Sequence, residues 1–182
     1  MKKVFTIIVA LIMTACSSMK VVDIDPATGH FPGAAKSATI MESKAIDLDS
    51  KKSLLLIPND DFAAGMLANI GYFDELMKFE DLETAIIKEN LGDKVPDVSS
   101  KIGINNAAKH YKEFLWLRFK TRTEGNKSYR QMILTNPLDL EDYFITETYL
   151  DYVWNGVNDQ YNWYPMFNAF IDYINKNSSE RK

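Results

Sequence analysis

Chemistry in a protein needs groups that ionise, coordinate or attack, and few such groups here stand in a working arrangement. The only histidines are His30, beside turn-forming residues, and His110, late in a short helical pattern. There is no His-Glu-x-x-His, and Cys16 has no second cysteine, so the sequence predicts no metal site. Nucleophile-elbow, Walker and dinucleotide-loop motifs are absent as well, which predicts no catalytic residue and no cofactor. Asp60 and Asp61 follow an apolar run, where α/β sheets place ligands, but the same oxygens cap helices, and capping is the reading we favour. Asp139, Glu141 and Asp142 lack the alternating oxygens and glycine of a calcium loop and read as a solvated turn. Asp47 and Asp49 alternate with apolar residues and read as the wet face of a strand. His110 reads as a dipole partner at a helix C-terminus.

The exception is Cys16. Lys2 and Lys3 form a basic start, Val4 to Met13 is almost purely apolar, and Thr14-Ala15 are small. These are the parts of a removable secretory signal. The apolar run is about half the roughly twenty residues that a spanning helix needs. Met13-Thr14-Ala15-Cys16 resembles the lipobox of bacterial lipoproteins, with Met13 where Leu is commoner. The resemblance implies that Cys16 is acylated, palmitate included, and becomes the mature N-terminus. Ser17 in the next position implies sorting to the outer membrane, with the domain facing the periplasm.

A second group of residues could do recognition. Tyr149, Tyr152, Trp154, Tyr161 and Trp163 crowd into one segment with Asn, Asp and Gly. Tyr and Trp carry large apolar area with a polar handle, and they dominate protein hot spots. These five are the candidate partner-binding residues. Rings mixed with Asn and Asp could equally line a glycan groove, or close the core beneath the last helix. Trp154, beside Asn155-Gly156, is the ring most expected to reach the surface.

The elements that must position these groups follow from pattern. Residues 1–15 are expected to be the signal peptide, 16–37 a lipidated tether, and 38–182 one globular domain. Removing the signal takes away Lys2 and Lys3 and moves the formal net charge from -4 to -6, which argues against nucleic-acid binding. Ten Phe, nine Tyr and three Trp supply the core of a chain without disulfides. A strand is expected within Ala38 to Leu48, and Ser53 to Pro58 reads as a strand buried on both faces. Phe62, Met66 and Ile70 then mark a helix ending at Gly71. A strand over Tyr72 to Phe79 and a helix from Asp81 to Gly92 come next. Ile104, Ala107, Ala108 and Tyr111 mark a third helix, and Phe114 to Thr135 reads as a β-hairpin through a polar turn. Asn136-Pro137 ends it, Tyr143 to Tyr149 is another strand, and Trp163, Phe167, Phe170, Ile171 and Ile174 stripe a closing helix. The expected fold is α/β or α+β, a single mixed sheet with helices packed on it, one β-hairpin and a C-terminal helix.

This order has a parallel. A strand over Leu54 to Pro58, a helix, Gly71-Tyr72-Phe73, the Ala107-Ala108 helix and Phe114-Leu115-Trp116-Leu117 leading into a hairpin resemble the N-terminal domain of the Tol translocation protein B. The lipoprotein activators of penicillin-binding proteins and the curli-secretion lipoproteins share that layout. The resemblance spans roughly Ser53 to Asn175 and carries over no functional residue. It implies a non-catalytic envelope protein, held to the membrane by its lipid, that acts as an accessory or assembly factor by binding another envelope protein. The alternative is a periplasmic glycan-binding module or enzyme of the cell wall.

Overall fold

Leu54 to Ile57 has no polar alternation, so it must be covered on both faces. The computed structural model describes residues 19–151, 153–154 and 158–180, and in it this run lies inside a six-stranded sheet. The strands are β1 (Thr39–Ser43), β2 (Leu55–Ile57), β3 (Leu76–Lys78), β4 (Leu115–Glu124), β5 (Lys127–Asn136) and β6 (Glu141–Leu150). Their order is β1-β6-β5-β4-β2-β3. β2 runs parallel to β3 and β4, whereas β4, β5, β6 and β1 are antiparallel neighbours. The α-helices among the described residues are α1 (Asp61–Ile70), α2 (Phe79–Lys88), α3 (Lys101–His110), α4 (Asp159–Asn162) and α5 (Tyr164–Asn177). The fold is α+β, with one mixed open sheet and a C-terminal helix.

Local chemistry sets the boundaries. Asp60 caps α1 by accepting from the Ala63 amide at 2.9 Å, and Gly71 ends it in the left-handed region at φ 61°. The strand expected over Tyr72 to Phe79 shrinks to three residues because α2 begins at Phe79. Asn59 Oδ1, far back in the chain, accepts from the Glu80 amide at 3.1 Å, and Asp81 accepts from the Lys78 amide from inside the first turn. At the other end Asn90, at φ 56°, rather than Gly92, takes the left-handed position. The β4–β5 turn is only two residues, Gly125-Asn126, because Gly125 at φ 59° supplies the first central position of a tight hairpin. Pro137 to Leu140 makes a second hairpin beyond the one expected. Asp49 opens a short 3-10 turn instead of facing water from a strand. Hydrogen bonds from Ser178, Tyr72 and Ser179 hold its carboxyl well below the usual range.

Two apolar clusters flank β2. Leu55 and Ile57 pack with α1 and α5, and Leu54 and Leu56 with α2 and α3. Phe167 of α5 is fully buried and meets Phe31, Phe62 and Phe119 edge-on, with ring centroids 6.0, 6.2 and 6.3 Å away. Residues 19–37 run across α1 and α5 as a strap. The Asn168 side-chain amide receives the Phe31 N–H at 2.7 Å and donates to the Phe31 carbonyl at 3.2 Å. Strand β1 is one of the two edges of the sheet, and its register against β6 slips between Ile40 and Glu42, which is a β-bulge.

Phe31→Ala is expected to lower unfolding free energy by about 3–5 kcal/mol through the lost ring and its cavity. Denaturant midpoints measure that loss, and limited proteolysis should show the strap cut before the sheet.

Candidate protein-binding surface

Strand alternation sends Leu115, Leu117 and Phe119 of β4 toward α1 and α5, so Trp116, Arg118, Lys120 and Arg122 take the opposite face. Register places Tyr129, Gln131, Ile133 and Thr135 of β5 beside them, then Ile145, Glu147 and Tyr149 of β6. Helices α2 and α3 cover only the Trp116 end. Their apolar cluster includes Trp116 and no residue of β5 or β6. Beyond it no helix joins this face among the described residues: Gln131, Ile133, Thr135 and Glu147 are buried among their neighbours' side chains, while Lys120 and Tyr149 reach the surface.

Cross-strand ion pairs line this face. Arg118 Nη2 donates to both oxygens of Asp142, at 2.9 and 3.1 Å, while Thr135 donates to the same carboxylate at 2.6 Å. Arg122 grips Glu147 in a fork, Nε to Oε2 at 2.9 Å and Nη2 to Oε1 at 2.8 Å, and Gln131 donates to Oε2. The Glu147 side chain is only 5% exposed. The hydrogen bonds from Arg122 outweigh burial and hold its carboxyl below the usual glutamate range. The Arg122 guanidinium also lies over the Tyr129 ring at 4.4 Å, and Tyr129 leans on Tyr149 at 5.7 Å. Tyr149 is half-exposed, Lys120 is exposed, and neither is tied to a carboxylate among the described residues.

The aromatic segment expected to act as a unit is divided by the fold. Tyr149 sits on the open face. Trp154 is 85% exposed in a turn, with its amide bonded to Asp151 Oδ1 at 3.2 Å. Tyr161 lies on α4 beneath the Lys36 ammonium, 5.4 Å from the ring. Trp163 is a core ring, 6% exposed between Phe62 and Phe119 with Arg130 stacked on it, so it has no face to offer a partner. Tyr152 and Cys16 lie outside the described residues. The contributions of Arg122, Tyr129 and Glu147 were missed from sequence. The alternation of Arg118, Lys120 and Arg122 with Leu117 and Phe119 was the signal that could have found them.

The other acidic and histidine candidates from the sequence do not gather into a site. Asp60 is a cap, and Asp61 pairs with Lys78. Asp142 belongs to the sheet lattice rather than to a solvated turn. His30 Nε2 meets Asp172 at 2.8 Å beside a groove of about 460 Å³ between the strap, Ile40 and α5. His110 is the exposed last residue of α3. Among the described residues no three His, Cys, Asp or Glu side chains converge as metal ligands, and no helix is long and apolar enough to cross a membrane.

Two solved structures share part of this layout. The LpoB C-terminal domain from Salmonella enterica aligns with 56% of this chain and 84% of its own, at 17% identity and a TM-score of 0.38. The LpoB C-terminal domain from Escherichia coli aligns with 55% of this chain and 83% of its own, at 15% identity and a TM-score of 0.37. No family model and no curated protein matches the sequence. A likeness this distant carries no functional argument, so the surface has to be argued from its own side chains.

Because the folded-state pKa of Glu147 is depressed, its contribution is complete above the ordinary carboxylate value. It fades as pH falls through the lowered one. Glu147→Gln removes the charge facing Arg122 and should cost about 2 kcal/mol at pH 7. Denaturant titrations from pH 7 to pH 3 should show the two proteins converging as the pH drops; a gap independent of pH would contradict the ionised assignment.

Proposed function

We propose that this chain is a non-catalytic cell-envelope lipoprotein, acylated at Cys16 and held at the outer membrane with its domain in the periplasm. In this reading it is an accessory or assembly factor whose open sheet face binds another envelope protein. The observation that carries the reading is the Tyr129–Tyr149 pair on a sheet face that no helix covers, braced on the same face by Arg122, which lies over Tyr129 and is itself held by Glu147. Rigid aromatic rings lose little entropy on binding, and the preorganised ion pair beside them keeps them in place. Lys120 adds a cation without a fixed partner, which suits a protein surface carrying carboxylates. Apolar leader, small residues and a lone cysteine support the anchor, and the sequence layout shared with lipoprotein activators and Tol-type domains is in keeping with a binding role.

The test is crosslinking of the intact lipoprotein in its native envelope, followed by mass spectrometry, alongside Cys16→Ala, Tyr149→Ala and Lys120→Glu. A central tyrosine typically contributes about 2 kcal/mol or more, so Tyr149→Ala should weaken capture roughly thirty-fold with unfolding unchanged. Loss of the same partner in Cys16→Ala would tie the interaction to anchoring. Capture that survives both sheet-face substitutions would remove this face from the function, and cell-wall glycan would become the next ligand to assay.

A further inference from the structure

Val153 and Trp154 are 84% and 85% exposed, more than any other large apolar side chains among the described residues. Nothing in the sheet-face reading uses them. The Trp154 turn is nonetheless formed, since its amide is held by Asp151. An indole presented this openly to water needs a second environment, and the bilayer interface is one that takes the apolar ring and the N–H together.

The path of the strap says where such an interface would be. The Lys20 amide donates to Asp159 Oδ2 at 2.7 Å, and the Tyr164 hydroxyl donates to the Lys20 carbonyl at 2.9 Å. Val21 lies so close over α1 that a Cβ on Gly65 would come within 2.7 Å of its methyl carbon. The chain is therefore fixed to α4 and α5 from Lys20 onward. Cys16 precedes Lys20 by four residues, an extended reach of at most about 14 Å. Trp154 precedes Asp159 by five residues, or at most about 18 Å. A bilayer holding acyl chains on Cys16 is thus within chain reach of the Lys20–Asp159 junction, and the Val153-Trp154 turn is within chain reach of the same junction. Met19, 37% exposed, and Val21, 40% exposed, add apolar surface beside this junction. Lys20 and Lys36 add ammonium groups with no carboxylate partner among the described residues, suited to lipid phosphates.

We propose that Val153 and Trp154 are a second membrane contact, seated in the headgroup layer of the bilayer that holds the acylated Cys16. The inference rests on the anchor in the proposed function. Acyl chains supply the residence time on the membrane, at roughly 0.8 kcal/mol per buried methylene, and one Trp and one Val add little to that. Their effect is orientation: a second contact besides the lipid stops the domain from swivelling about it.

The experiment uses the full-length lipidated protein in phosphatidylcholine vesicles containing brominated phosphatidylcholine, which quenches indoles at bilayer depth. Flotation and intact mass are measured on the same samples. Trp116 and Trp163 provide the internal background, because Trp163 is buried. The expected result is a quenched, blue-shifted emission component that disappears in Trp154→Phe, a variant with unchanged thermal unfolding. Protein that floats with the vesicles and carries its acyl mass, but whose Trp154 emission is unquenched, would overturn the membrane contact and leave the anchor standing. Protein that neither floats nor carries acyl mass would overturn the anchor and this inference together.

Discussion

The Phe167 ring is the point on which the described structure turns. It touches the strap through Phe31, the first helix through Phe62 and the long hairpin through Phe119, each edge-on at about the same separation. Three segments far apart in sequence thus share one fully buried side chain. Phe170, one helical turn on, also joins distant segments, stacking on Phe73 and meeting Phe144 at a tilt. Helix α5 therefore comes last in chain order yet supplies the surface on which earlier elements are assembled. A chain lacking disulfides can reach this organisation because aromatic pairs add directional energy to the area they bury.

The sheet's two faces solve different problems. Toward α5 it presents aromatic and aliphatic side chains, and stability comes from excluded water. Away from α5, beyond the reach of α2 and α3, no helix covers the sheet, and strands β4 to β6 are tied instead by Arg118–Asp142 and Arg122–Glu147, whose side chains cover one another. Glu147 marks the limit of that strategy: it is nearly as buried as a core residue but stays ionised because three donors converge on it. A face built this way leaves Tyr149 half-exposed beside a satisfied ion pair.

Much of this was legible in the sequence. The apolar run at Leu54 to Ile57, the Asp60 and Gly71 caps and the stripe from Phe167 to Ile174 each encode their structure within a few residues. What was not legible depended on distance. Phe31 stands among turn-formers, and nothing local says that Asn168 holds its backbone. Asn59 caps a helix that starts twenty residues later, which shortened β3 and moved the start of α2. Trp163 and Trp154 look alike in composition and differ only in that one falls where α4 meets α5 over the core. Aromatic density indicated where recognition could lie, whereas the alternation along β4 and β5 decided which rings face outward.

The bulge in β1 has a consequence for neighbours. Proteins tethered to one leaflet meet far more often than the same number free in solution, since diffusion is confined to a plane. An exposed edge strand with regular spacing would then invite edge-to-edge zipping into ribbons. The slip between Ile40 and Glu42 spoils the hydrogen-bond spacing that a second strand would need, even though Ile40 and Met41 leave apolar surface exposed there. One extra residue in a short strand thereby makes this edge a poor template for a second copy of the strand.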